Sequence, residues 1–474
     1  MIFEKLFKST IFNAWFSNAI IIFSMLIAMP IVLMKLSIEE VNVWFLFATI
    51  VSLTQGIVTG FSSTFTRFIA YSSSGVSIDE FRHLKEKKTI NFAEINTTQL
   101  NKILNIMKPI YFGLSILFFI ILYLVGHFFL TTPISMMSNY NDGWIAWYIV
   151  LISSTFILYF NFYQVFLDGI NKVILVQRII AIVNFIGFFI VVFILTFYPT
   201  LIYITLVYQL VSFLTFFIVM IYSKKYMKRY KVDIKVLSFD KELFMLVFES
   251  AWKSGVTTIV ANIVKHISSL IVAQMFSPSQ SASFQFIKRI FDVIERFTVV
   301  TFNSKIPVFA QYRSRGDIHS FKRLLFKVQA LSYSAFTIGF LIFLFFGNIV
   351  AELLNAKIVL DPILIILFGF SVLLTRWAGM KLAISNQANY IIEHVAIFII
   401  STSFFTFVYL FIDYFGLHVF PLAQIVAILL LAPFIIKKVY NTFEASFINH
   451  EKTLLIPTLI VMIVLSIIYG VFNV

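Results

Sequence analysis

Eleven ionised side chains and a histidine lie in stretches of this sequence otherwise apolar enough to cross a membrane, all in its second half. About residues 248 to 276 are Glu249, Lys253, Lys265 and His266; about 284 to 310 are Lys288, Arg289, Asp292, Glu295, Arg296 and Lys305; about 361 to 384 are Arg376 and Lys381. A charge at a bilayer centre costs about 2.5 to 3.5 kcal/mol on insertion scales, so such groups face a protein interior or a wet cavity. Eight of the eleven are basic, which suits the capture of an anion. Guanidinium forks hold phosphate in bidentate fashion, and a lysine supplies a point charge.

Spacing arranges them. Arg289, Asp292, Arg296 and Asn303 stand at i, i+3, i+7 and i+14, one stripe of a helix that should face inward. Lys265 and Arg296 are the leading candidates to contact an anionic cargo, followed by Arg289 and Arg376. A purely structural reading stands beside this one. Lys288 with Asp292, and Asp292 with Arg296, are i to i+4 neutralising pairs, and Lys288, Lys305 and Lys381 near span ends could snorkel to water.

In the first half the polar signal is mostly uncharged. Asn161, Gln164 and Asp168 share one helical face, and Asn184 stands on the next span. Amides donate and accept, which suits sugar hydroxyls, and they also glue helices together. Arg67, near the inner end of the second span, could meet phosphate at an entrance or anchor to lipid headgroups. Gly56 and Gly60 form a small-xxx-small pair for close helix packing.

The elements that must position these residues follow from composition. Of 474 residues 60% are hydrophobic and 12% charged, far from the roughly 25% charged of a soluble domain. Continuous apolar runs, rather than strands of about 10 alternating residues, predict an all-α integral membrane protein. Thirteen spans are expected, near 11–34, 42–66, 109–130, 144–167, 179–196, 201–222, 248–276, 284–310, 328–347, 361–384, 395–412, 419–436 and 453–472. The first follows Lys5 and Lys8 and reads as an uncleaved span, being too long for a signal peptide.

With the N-terminus in the cytoplasm, 26 of the 36 basic residues fall in inside segments, and only Lys35 and Lys357 fall outside. That asymmetry accounts for most of the net charge of +14 without a nucleic-acid partner. A membrane glycan polymerase or ligase would need catalytic residues in a sizeable outside loop; the outside loops are short and the longest, 131–143, carries no Lys, Arg or His, so that function is the least favoured. Cysteine is absent, seven histidines and no clustered loop carboxylates argue for no metal site, and there is no Walker-type loop. No cofactor is expected.

The loops after the second and eighth spans superpose without a gap at an offset of 241: Phe61 on Phe302, Ser63 on Ser304, Phe68 on Phe309, Tyr71 on Tyr312, Ser73 on Ser314, Gly75 on Gly316, Arg82 on Arg323 and Leu84 on Leu325. A repeat of an even number of spans gives two lobes of the same orientation, related by an axis along the membrane normal. The expected organisation is a six-helix lobe over 1–222, a basic linker over 223–243, a second six-helix lobe over 244–437, and 438–474 as a cytoplasmic segment with an added span, 12 to 13 transmembrane helices in all.

The opening span from Asn18 to Pro30, the next span with Gly56, Gly60 and Phe61, and its exit through Arg67, Phe68 and Ala70 carry a family likeness, which extends over about 1–440. The chain resembles the polysaccharide-transport branch, the O-antigen flippases of Wzx type, of the multidrug, oligosaccharidyl-lipid and polysaccharide exporter superfamily. The resemblance implies a multi-pass protein of the bacterial inner membrane. Its cargo would be undecaprenyl-pyrophosphate-linked oligosaccharide, and its partners membrane lipids and other polysaccharide assembly proteins. A cation-coupled drug exporter of the same superfamily is the alternative; it would want an acidic residue deep in the first lobe, and spans one to three have none.

Overall fold

The structure, a computed structural model, describes residues 10–73, 97–232, 241–303, 317–353, 358–387, 393–440 and 447–472, with a few single residues between 305 and 312. Among these residues there is no strand. The helices are α1 (Thr10–Lys35), α2 (Ile38–Ser73), α3 (Thr97–Ser135), α4 (Tyr140–Gly169), α5 (Val173–Phe197), α6 (Leu201–Arg229), α7 (Lys241–Met275), α8 (Pro278–Asn303), α9 (Ile318–Leu353), α10 (Pro362–Gln387), α11 (Glu393–Phe415), α12 (Val419–Lys438), α13 (Phe447–Glu451) and α14 (Leu455–Phe472). Large apolar side chains cover the outside, among them Phe112, Phe128, Phe189, Phe193 and Ile342. Aqueous solvent does not tolerate apolar surface on that scale, and with helices long and apolar enough to span a bilayer it marks a multi-pass membrane protein.

Helices α2 and α8 start in the same way. Ser37 Oγ accepts from the Glu40 amide at 3.2 Å while Glu40 Oε2 accepts from the Ser37 amide at 2.9 Å. Ser277 and Gln280 repeat this capping box, with bonds of 3.4 and 3.2 Å. The box also explains why α8 begins six residues before the expected 284: Pro278 is preorganised for the first helical position behind a serine cap. Helix α3 likewise starts well before its apolar run. Its 39 residues span about 58 Å at 1.5 Å per residue, more than a bilayer core requires.

The chain forms two compact units, Met1–His266 and Ile267–Val474, so that α7 begins in the first and ends in the second. Of the expected linker, 233–240 lie outside the described residues.

In the first unit α1 packs on α5 and α4 on α6. Between α1 and α5, Arg178 Nε donates to the buried Asn13 Oδ1 at 3.0 Å and Ser17 to Gln177 Oε1 at 2.5 Å. Helices α3 and α4 touch closely at Gly126, where a Cβ would lie 2.1 Å from the Trp147 ring. In the second unit α8 lies against α9 and α10 over a core of phenylalanines. Phe291 stacks on Phe368 at 6.1 Å between ring centres, and Phe284 meets Phe420 edge-on at 5.5 Å. Helix α14 runs along α9, Phe345 against Tyr469 at 5.4 Å.

Of the residues aligned at the offset of 241, Phe61 and Phe68 are buried in the first unit and Phe302 and Phe309 in the second. Ser304, Ser314, Gly75, Gly316 and Arg82 lie outside the described residues.

Candidate functional site

Helix α8 divides into two faces. Phe284, Ile287, Phe291, Thr298 and Phe302 are each at most 1% exposed and form its packed side. The stripe read from the sequence lies on the other: Arg289 and Asp292 are half-buried, Arg296 and Asn303 exposed. Arg289 is the twelfth of 26 residues in α8, about 17 Å from its start at 1.5 Å per residue; with its five charges α8 is not among the helices apolar enough by composition alone to cross a membrane. The stripe is thus turned away from the face that packs on α9 and α10.

Arg376 is elsewhere. From α10 it enters the packed side of α8, 7% exposed. Its Nη2 donates to the Thr298 carbonyl at 3.1 Å and its Nε to Ser332 Oγ on α9 at 3.4 Å, and its guanidinium lies 5.7 Å from the centre of the Phe302 ring. Glu295 supplies a favourable charge nearby. Arg289 and Arg296 therefore share a surface, while Arg376 braces the helix that carries them.

Lys265 belongs to the first unit and is exposed, whereas the adjoining His266 is buried. The side chains of Glu249 and Lys253 and of Gly60 lie outside the described set. Lys288 does not snorkel. Its Nζ donates to Ser268 and Ser269 on α7 at 2.9 and 3.0 Å, because two hydroxyls of the preceding helix satisfy an ammonium more readily than a stretch to the interface. Lys305 is exposed, as a span-end lysine should be.

In the first unit Asn161 is 5% exposed. Its Nδ2 donates to Ser62 Oγ at 2.8 Å, and Ser62 lies 3.1 Å from the Tyr111 hydroxyl, so the three residues tie α4 to α2 and α3. Gln164 and Asp168, on the same face, are half-buried and hydrogen-bonded to each other. Asn184 donates to the Ile180 carbonyl of its own helix at 2.8 Å. Arg67 is exposed. Gly56 does serve close packing: a Cβ there would lie 2.3 Å from Asn262 Cγ.

The most consequential polar cluster escaped the sequence. Lys381, expected to snorkel, is fully buried and paired with Glu451, likewise fully buried, at 2.7 Å. Glu451 follows the twelfth span by a dozen residues, and nothing in the spacing joins it to Lys381. The one available signal was an acid in a short loop between two apolar runs. Among the described residues no group of three His, Asp or Glu side chains could hold a metal ion.

No protein-family model matches this sequence, and no curated protein matches it. Solved structures share its fold. An inward-facing multidrug resistance MATE family transporter of the MOP superfamily superposes with a TM-score of 0.65 at 14% identity, over 91% of this chain and 99% of that one. The lipid II flippase MurJ, in an inward closed conformation, gives 0.62 at 16% over 97% and 95%. A MOP superfamily transporter from Pyrococcus furiosus, whose binding pocket is described as reversed in polarity with a different function suggested, gives 0.59 at 12% over 93% and 98%. At these identities the likeness establishes the fold alone.

Proposed function

We propose that this chain is a flippase that moves a lipid-linked oligosaccharide from the cytoplasmic to the periplasmic leaflet of the bacterial inner membrane. The cargo is of undecaprenyl-pyrophosphate type, such as an O-antigen repeat unit. The chain sits with its N-terminus in the cytoplasm, on the strength of its 26 inside cations. The observation that carries the reading is the position of Arg289 and Arg296 on the less buried face of α8. Such a face lowers the cost of taking a pyrophosphate out of bulk water, while the prenyl tail stays in the bilayer. In the first unit, Lys265 and Arg67 are separate candidate contacts for phosphate, and Gln164 and Asp168 for sugar hydroxyls. An inside-negative potential favours outward passage by about 2.3 kcal/mol per charge per 100 mV. The fold shared with a lipid II flippase supports the same reading.

The test is charge reversal. Lys265→Glu and Arg296→Glu, singly and together, should abolish surface glycan while the protein inserts at wild-type levels. Normal glycan display by the double variant would overturn the basic-passage mechanism. One observation favours a second reading, cation-coupled export of small molecules: Asp168 is a half-buried carboxylate in the first unit. That reading expects dye efflux that is lost in Asp168→Asn.

A further inference from the structure

The chain after α12 enters the second unit rather than trailing from it. Helix α13 is only five residues long, yet it delivers two side chains to one buried point. Glu451 Oε1 receives Lys381 Nζ from α10 at 2.7 Å and also accepts from the hydroxyl of Tyr440, the second residue beyond α12. Tyr440 in turn accepts from Trp377 Nε1 at 3.3 Å. Gln329, on α9, presents its Oε1 to Lys381 Nζ at 3.4 Å and to His450 Nε2 at 2.8 Å. Phe447 closes the cluster edge-on against Tyr440 and Trp377. Beyond it α14 lies on α9, where Asn348 Nδ2 reaches the Tyr469 hydroxyl at 3.4 Å, and Met462 packs beside Gly369 of α10.

We propose that residues 447–472 are a strap that clamps α10 to α9, and that the buried Lys381–Glu451 pair is its lock. The physical reason is the cost of an uncompensated charge. A lysine and a carboxylate removed from water are tolerable together, whereas either left alone in the same site is strongly unfavourable. The carboxylate comes from the strap and the ammonium from α10, so docking the strap and burying Lys381 are one event. His450 reinforces the pairing. Burial, and then the nearby Lys381, hold its pKa down to about 4, so at neutral pH it is uncharged and does not compete for Glu451. Arg376 stands five residues before Lys381 on α10 and braces α8 and α9. A locked strap therefore adds a second tie between α10 and α9 to the one Arg376 makes, and a released strap leaves α10 held by Arg376 alone. This inference does not depend on the nature of the cargo.

The test uses the full chain in native membrane vesicles. Lys452, exposed in the turn after α13, is a trypsin site whose cleavage reports an undocked strap. Lys381→Met and Glu451→Leu should each raise the cleavage rate at Lys452 at least tenfold. The double variant Lys381→Met/Glu451→Leu, which buries no charge, should bring it back to within about threefold of wild type. Single variants cleaved at the wild-type rate would overturn the lock. Should the single variants fail to insert, the double decides: a protected double supports the proposal, and a double as labile as the singles overturns it. The chain has no cysteine, so Asn348→Cys with Tyr469→Cys and a bis-maleimide linker gives an independent readout. Its yield should fall in each single variant and return in the double.

Discussion

The guanidinium of Arg376 reaches the Thr298 carbonyl on α8 at 3.1 Å and Ser332 Oγ on α9 at 3.4 Å, so one buried cation joins three helices of the second unit. Arg376→Lys keeps the charge but loses the planar fork whose separate Nε and Nη2 reach the two acceptors, so the pair of bonds is not kept in the same geometry. Leaving a buried acceptor without its donor costs about 1 to 3 kcal/mol. Both Arg376→Lys and Arg376→Met should lower the thermal midpoint of the detergent-solubilised protein, Met more. If the sole loss were of transport, with the midpoint unchanged, Arg376 would belong with the cargo contacts instead.

Gly56 and Asn262 bring α2 and the first part of α7 into close approach. An added Cβ would sit 2.3 Å from Asn262 Cγ, and the Asn262 amide is itself held by the Thr258 carbonyl at 2.8 Å. Overpacking of this kind costs about 1 to 3 kcal/mol. Gly56→Ala should be destabilised by that amount, and Gly56→Ala/Asn262→Ala should recover most of it in the same thermal assay.

His450 predicts a pH dependence with a definite sign. Its pKa is about 4 in the folded chain against 6.5 for the free side chain, so the unfolded state binds more protons between those values. Stability therefore rises with pH across that window and is lost as pH falls from about 6.5 toward about 4. A thermal midpoint measured from pH 7.5 to pH 4.5 should decline, and His450→Gln, which keeps a partner for Gln329, should decline less steeply.

Asn161 is committed to Ser62 at 2.8 Å. Asn161→Leu should cost about 1 to 3 kcal/mol by stranding that hydroxyl network, while glycan display per molecule of folded protein stays near wild type. Loss of display at full stability would instead mark Asn161 as a sugar contact.

How much could be read in advance depended on range along the chain. Apart from the charged α8, the long helices follow from local apolar runs, since a backbone in a bilayer must satisfy its own hydrogen bonds. The α8 stripe followed from helical periodicity, which is also local, and the structure puts Arg289 and Arg296 on one less buried face. Arg376 and Lys381 show the limit. Each sits in an apolar run where spacing offers a cavity, a brace or a snorkel equally, and its true partners, Thr298 and Glu451, lie 78 and 70 residues away. The sequence determined which segments enter the membrane and which helix face carries charge. Only the tertiary structure decided which cations are spent on packing, because a buried charge is placed by whichever distant group neutralises it.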